Sequence, residues 1–337
     1  MNKKYSELAE LFRSEKTDEE ILDFLLNYHK NDIADMMAGM TEEERKRLYH
    51  LLGAQKVAEI FKYIEEPRKY IRELSVESAA RVISEMDSDD AVDLLEDLDP
   101  EEKEQIVRML DEDAKKDVKM LLSYDEEEIG SCMTTNYICI PENLTIRQAM
   151  SELVKQAGEN DNIMTIYVVD EKGVFAGAID LKDLIRAREN AHLEDLVLKS
   201  YPYVTDHEKI DDCMDRILDY AEDSIPVLSE DKKILGVITS EDLIEMVDNE
   251  MGEDYAKLAG LTAEEDLKEP TLQSMKKRLP WLIILLFLGM GVSSVVGLFE
   301  NVVAVLPVVI CFQSLVLDMA GNVGTQSLAV TIRVLMD

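Results

Sequence analysis

The stretch Leu279–Phe299, LPWLIILLFLGMGVSSVVGLF, holds no charged residue over 21 positions. As a helix rising about 1.5 Å per residue it is roughly 30 Å long, the thickness of a bilayer's hydrocarbon core. A chain with such a run must place it in lipid or bury it in a large core, and lipid is the expectation. Lys276, Lys277 and Arg278 stand immediately before it and Trp281 lies near its entry. Positive charge marks the cytoplasmic side, so the residues before the run are expected in the cytoplasm. A second apolar run, Val302–Leu317, follows across Glu300 and Asn301 and continues through Asp318 and GNVGTQSLAVTIRV. The chain therefore reads as multi-pass in the cell membrane.

Two features suggest more than anchoring. Gly289, Ser293 and Gly297 recur every four residues, a small-residue stripe that lets another helix approach closely. Asp318 interrupts an apolar run, and an ionisable group at membrane depth is a functional candidate, although it could instead sit at the interface. Asn322, Thr325, Gln326 and Ser327 add polar groups to the same segment. Asp318, Asn322 and Gln326 are the pore candidates.

The 337 residues carry 36 Lys+Arg against 71 Asp+Glu, a formal charge of −35. That length predicts two or three modules. From Thr271 onward the charged residues are Lys276, Lys277, Arg278, Glu300, Asp318, Arg333 and Asp337, so the acidic excess lies wholly upstream. Such a surface repels phosphates, which argues against nucleic acid as a partner. Cys132, Cys139, Cys213 and Cys311 show no CxxC spacing, and the four histidines form no HExxH. Reduced thiols, and neither a zinc site nor a disulfide framework, are expected. The N-terminus, MNKKYSELAELFRSEKTDEE, has no apolar core and does not read as an export signal.

Residues 1 to about 125 read as a stack of short amphipathic helices. Thr41-Glu42-Glu43-Glu44 is a capping box, and Asp99-Pro100 puts proline at a helix's first position. Related units DIADMM, KVAEIF, SAARVI and DAVDLL recur, which predicts an all-α superhelical domain. From Gly130 the pattern changes to strand, helix, strand, turn, strand, helix. Tyr137–Ile140, Thr145–Val154, Ile163–Val169, Phe175–Ile179 and Asp180–Ala187 make the first copy. Tyr203–Thr205, Ile210–Tyr220, Ser224–Leu228, Ile234–Ile238 and a helix from Ser240 repeat it.

Each copy resembles a CBS motif, an α/β unit found in pairs. Gly236-Val237-Ile238-Thr239-Ser240-Glu241-Asp242 matches the signature whose hydroxyl and carboxylate commonly hold an adenosine nucleotide. The first copy has Gly177-Ala178-Ile179-Asp180-Leu181-Lys182-Asp183, where Asp180 replaces the hydroxyl and would repel a phosphate. The resemblance thus implies Asp183, Thr239 and Asp242 as candidates for ATP or another adenine nucleotide. The competing reading is that these acids only cap helices.

The order of parts, with RLPWLIILLFLGMGVSSVVGLFEN and AGNVGTQS, resembles the MgtE family of magnesium channels. The expected parts are an acidic α-helical N domain (1–128), CBS motifs (129–190 and 191–247), a connecting or plug helix (248–275) and the first two transmembrane helices (279–337). The resemblance implies a homodimer, and three further membrane helices beyond Asp337, one bearing a pore aspartate. It carries cation-binding acids onto Asp89, Asp93, Asp211, Asp242, Glu245, Glu250, Glu253 and Asp254.

The spacing of those acids supports the idea independently. Asp242 to Glu245 and Glu250 to Glu253 are three apart, and Glu250 to Asp254 is four apart. Like charges so placed destabilise a helix by about 0.2–0.5 kcal/mol per pair, a cost that a divalent cation reverses. Mg²⁺ prefers oxygen ligands and keeps much of its water, so a loose set of carboxylates suits it. Asp87-Ser88-Asp89 continues without the glycine of a calcium hand. The expectation is a channel closed by cytoplasmic Mg²⁺, which binds facing acidic surfaces that otherwise repel. The alternative is a membrane-tethered nucleotide sensor that conducts nothing. No nucleophile–base pair or phosphate loop points to an enzyme.

Overall fold

A computed structural model describes residues 17–64, 66–158, 160–188, 191–248, 271–299 and 307–335. The chain divides into two compact units, Met1–Met246 and Val247–Asp337.

The first unit begins with helices α1 (Asp18–Leu25), α2 (Lys30–Met37), α3 (Glu42–Phe61), α4 (Pro67–Ile71), α5 (Val76–Ser84), α6 (Ser88–Glu96), α7 (Pro100–Met109) and α8 (Glu112–Leu121). Their starts follow from local chemistry. Thr17 and Thr41 form full capping boxes with Glu20 and Glu44, satisfying backbone donors that the first turn leaves orphaned. Pro67 and Pro100 open α4 and α7, where a missing N–H costs nothing. α3 breaks at Gly53, whose φ of 77° a side-chain-bearing residue rarely adopts. Each short helix buries one stripe, for example Ala79, Ala80, Val82 and Ile83 on α5 and Ala91, Val92, Leu94 and Leu95 on α6. α5 packs on α7 and α6 on α8, so alternate helices meet and the chain winds into the expected superhelix.

Inside this stack Arg45 and Glu73 form a buried ion pair, with side chains 8% and 9% exposed. Arg45 also donates to the carbonyls of Met37 and Met40 and lies 5.1 Å from the Tyr70 ring centroid. The pair ties α3 to the chain after α4.

Two three-stranded sheets follow. β1 (Ile138–Pro141) runs parallel to β2 (Thr165–Val169), which pairs antiparallel with β3 (Phe175–Asp180); α9 (Ile146–Gln156) and α10 (Leu181–Arg186) complete the motif. β4 (Val204–Thr205), β5 (Ser224–Leu228) and β6 (Ile234–Thr239) repeat the pattern, with α11 (Ile210–Leu218) and α12 (240–248). The duplication extends to register. Ile166 faces Ile179 as Ile225 faces Ile238, and each sheet has its irregularity at the equivalent place, Val168/Val169 and Val227/Leu228.

The signature glycines have a steric reason. A Cβ on Gly177 would lie 2.5 Å from the Leu198 carbonyl oxygen, and one on Gly236 would lie 2.8 Å from the Thr134 oxygen. A crossing segment seals each edge strand there: Leu198 bridges to Ala178, and Thr134 exchanges bonds of 2.8 and 2.9 Å with Val237. The segment entering the first motif therefore docks on the second.

The helical core continues into the second motif through Ile129, Met133, Val204, Ile225, Val227, Ile238 and Leu243. The first motif has its own core around Ile138, Ile166, Leu153 and Ile179. Between the motifs, Tyr167 shares a 2.6 Å hydrogen bond with the Ser224 hydroxyl, and Tyr201 donates to the Ser224 carbonyl at 2.8 Å.

The second unit contains α13 (Thr271–Gly297), with Pro280 inside it, and α14 (Pro307–Leu335). Leu282, Ile284, Leu286, Phe287 and Leu288 stand exposed along α13. Among the described residues no helix is long and apolar enough to cross a membrane.

Candidate metal centre

The N-terminus of α6 faces the N-terminus of α12. Asp87 is the N-cap of α6, but its side chain makes no cap bond. It accepts instead from Asn136 Nδ2 at 2.8 Å and lies 3.8 Å from Lys62 Nζ. Ser88 is buried and accepts from the Thr135 backbone N–H at 2.9 Å. These contacts seat α6 on the chain entering the first α/β motif. Asp89 and Asp90 fill the first turn of α6, where the exposed N–H groups favour negative charge. Asp93 is one turn on, at the exposed rim.

Across the seam, Thr239 ends β6 and caps α12. Its backbone N–H and hydroxyl donate to Asp242 Oδ2 at 2.7 and 2.8 Å, and Asp242 N–H returns a bond to the hydroxyl at 3.3 Å. Asp242 is thereby held at the seam, with Glu245 one turn further along α12.

The electrostatics show that these acids crowd one another. Burial, then Asp242, Asp90 and Asp87, hold the Asp89 carboxyl well above the usual carboxylate range. Its Oδ1 is buried and has no hydrogen-bond partner. Burial raises Asp90 to about 7; Lys62 opposes that rise, while Asp87, Asp242 and Asp93 add to it. Burial, then Glu245, Glu96, Asp97 and Asp242, raise Asp93 to about 6. The Asp93 side chain still meets solvent, which screens part of that rise. Burial raises Asp242 against its bonds to Thr239 and the pull of Lys62. Burial, with Asp93, Asp242 and Asp89 nearby, pushes the Cys132 thiol up to about 11, so it stays protonated.

Among the described residues no three acid, histidine or cysteine side chains converge tightly enough to hold a bare metal ion. The donor set nevertheless fits a hydrated one. It is all carboxylate oxygen, it lies open to water at Asp93 and Glu245, and it contains a buried oxygen lacking a partner. That is the chemistry of Mg²⁺, which binds through one or two carboxylates and its own waters. A cleft of about 590 Å³ adjoins the cluster, with Asp87, Asp90, Asp117, Asn136, Glu241 and Lys62 in its wall.

The other sequence candidates fall elsewhere. Asp211 lies exposed in the first turn of α11. Glu250, Glu253 and Asp254 lie outside the described residues. Asp183 is exposed in the first turn of α10, and Asp180 caps that helix with no side-chain bond, so the first motif lacks the Thr239–Asp242 box. Asp318, Asn322 and Gln326 lie four apart along α14 and are exposed. The Thr325 hydroxyl donates to the Gly321 carbonyl at 3.0 Å, so it is satisfied within its helix. Sequence reading missed Lys62, Ser88, Thr135 and Asn136. The Ser88–Thr135 and Asp87–Asn136 bonds join residues 47 and 49 positions apart, Lys62 reaches Asp87 and Glu241, and no local spacing signals these contacts.

The first unit is thus an acidic helical superhelix joined to a duplicated α/β motif, with carboxylates crowded where the two meet. Known proteins agree. The model of the MgtE intracellular N domain matches residues 28–127, and that of the CBS domain matches 127–190 and 193–249. The magnesium transporter MgtE of Enterococcus faecalis is 39% identical over 337 residues, covering 99% of this chain and 74% of that protein. A crystal structure of the soluble part of a magnesium transporter superposes with a TM-score of 0.70 at 30% identity, covering 73% of this chain and 98% of that one. The cytosolic domain of the Mg²⁺ channel MgtE in complex with ATP gives 0.64 at 26% identity, covering 72% and 99%. The chain belongs to the MgtE family of magnesium transporters. Its relatives are transporters and not enzymes.

Proposed function

We propose that this chain is the regulatory part, with the first two membrane helices, of a homodimeric magnesium-selective channel of the cell membrane. Its parts are the acidic N domain (1–128), the CBS motifs (129–190 and 191–247), the connecting segment (248–275) and the membrane helices (279–337). Asp89, Asp93, Asp242 and Glu245 would hold regulatory Mg²⁺ at the seam, with Asp211, Glu250, Glu253 and Asp254 as further ligands. Bound there, a divalent cation supplies positive charge that cancels the repulsion between the two acidic faces. Two like charges 4 Å apart cost about 1 kcal/mol even in water, and more where burial excludes water. The acids thus keep the seam unstable when the cytoplasm is poor in Mg²⁺. When it is rich, the seam closes, and residues 248–275 transmit closure to a pore that includes Asp318, Asn322 and Gln326.

The observation that carries this reading is the buried, unpartnered Asp89 Oδ1 beside Asp242. A buried carboxylate oxygen without a partner costs several kcal/mol unless a cation or proton meets it. Limited proteolysis of the chain in millimolar Mg²⁺ and in chelator tests the sensor, and Mg²⁺ flux into liposomes carrying the protein tests transport. Equal cleavage in both conditions would sink the sensor; absence of flux would sink the channel.

A second reading concerns nucleotide. A relative's cytosolic domain binds ATP, and the Thr239–Asp242 pair occupies the signature position. An adenine nucleotide bound there, with Asp183 in the first motif, would act as a modulator of the same switch. ATP titration by calorimetry, on wild type and T239V, tests it.

A further inference from the structure

Lys62 follows the last turn of α3, with its ammonium at the seam. Its Nζ lies 3.2 Å from Glu241 on α12, 3.8 Å from Asp87 and 4.0 Å from Asp90 on α6. Its side chain is 29% exposed, so water screens these pairs only partly. Burial works to discharge the amine, but Asp90, Glu241 and Asp87 outweigh it, so the charge is held more firmly than in water. Lys62 thus does with one fixed positive charge what a bound divalent ion would do: it joins the acids of α6 to those of α12.

We propose that Lys62 is a tethered counterion, a built-in cation that holds the seam partly shut without metal and limits how many divalent ions its closure requires. This rests on the cation-sensor reading of the same seam. The charge count gives the logic. Asp87, Asp89, Asp90, Asp93, Glu241, Asp242 and Glu245 meet there, and an ammonium cancels one of their charges at no concentration cost because the chain holds it in place. Without it, closing the seam must draw more cation from solution. Dependence on Mg²⁺ then becomes steeper, and the metal-free seam opens further. The ammonium also repels an incoming divalent ion, so its presence holds Mg²⁺ uptake near Asp90 down.

The test uses the 337-residue chain in detergent micelles, as wild type, K62Q and K62R. Limited proteolysis is followed against free Mg²⁺ from chelator to saturation. In chelator, K62Q is cleaved about fivefold faster than wild type, the effect of losing roughly 1 kcal/mol of ion pairing. Its Mg²⁺ protection curve is steeper, it reaches wild-type protection at saturation, and K62R behaves as wild type. Full protection of K62Q at high Mg²⁺ shows that the fold survives. The proposal is overturned if K62Q matches wild type in chelator and in slope, if K62Q stays unprotected at saturation, or if K62R fails to rescue. Should wild type show no Mg²⁺ protection, the sensor reading fails by itself. The chelator comparison of K62Q with K62R then still decides whether Lys62 holds the seam.

Discussion

Thr239 gives both its backbone N–H and its hydroxyl to one oxygen of Asp242, Oδ2, at 2.7 and 2.8 Å. None of these bonds uses Oδ1. The residue is therefore a helix cap and a seam acid at once, and the two roles separate by substitution. D242N keeps an acceptor for Thr239 and removes the charge. It should melt at or above the wild-type temperature in chelator, while the Mg²⁺ midpoint for protease protection rises about tenfold, the loss of roughly 1.4 kcal/mol of ion binding. D242A should show the same midpoint shift and, in addition, lose about 1 kcal/mol of stability from the missing cap. Thermal melts in chelator, beside the protection curves, resolve the two.

Asp89 makes the sharper case, because its buried Oδ1 has no partner in the protein. D89N removes the charge that Asp242, Asp90 and Asp87 repel. The variant should be at least as stable as wild type without metal, yet gain little from added Mg²⁺. Differential scanning fluorimetry across a Mg²⁺ series reads both. A D89N protein that is destabilised in chelator and still responds fully to Mg²⁺ would show that the carboxylate serves only packing.

Much of this architecture was legible before any coordinates. The capping box at Thr41, proline at the start of α7 and the repeated strand order were readable from sequence, and the structure reproduces them. The seam was only half legible. Asp89, Asp93 and Asp242 were visible as acids at helical spacing, but that they share one site with Lys62 depends on how two modules dock. That docking is fixed by Met133 and Thr134 lying against Gly236, and by Ser88 and Asp87 meeting Thr135 and Asn136. Such contacts arise from shape complementarity between distant segments, which no periodicity encodes. One core runs from the helices into the second motif, and no periodicity signals that continuity either.

The Arg45–Glu73 pair predicts a stability effect remote from the seam. Both side chains are nearly buried, so R45M leaves Glu73 without its partner. Breaking a buried pair in this way costs about 3–5 kcal/mol. R45M should lower the unfolding free energy by that order in urea titrations, and R45M/E73L should recover most of it. Mg²⁺ protection of the folded fraction should keep its wild-type midpoint, because neither residue belongs to the seam.

Acidity offers a metal-free route to the closed seam. Asp90 and Asp93 titrate near about 7 and about 6 in the fold, against an ordinary 3.8. Between pH 4 and 7 the folded chain therefore holds protons that the unfolded chain has released. Stability must fall as pH rises through that window, since the state binding more protons is favoured by acid. In chelator the melting temperature should drop from pH 5 to pH 8. D90N/D93N should flatten the dependence, and saturating Mg²⁺ should do so in wild type by displacing the same protons. His207 titrates in the same direction, because Glu128 and then Asp206 raise its pKa. H207Q is the control that isolates its share. A pH slope unchanged in D90N/D93N but abolished in H207Q would move the effect from the seam to the segment joining Glu128 to His207.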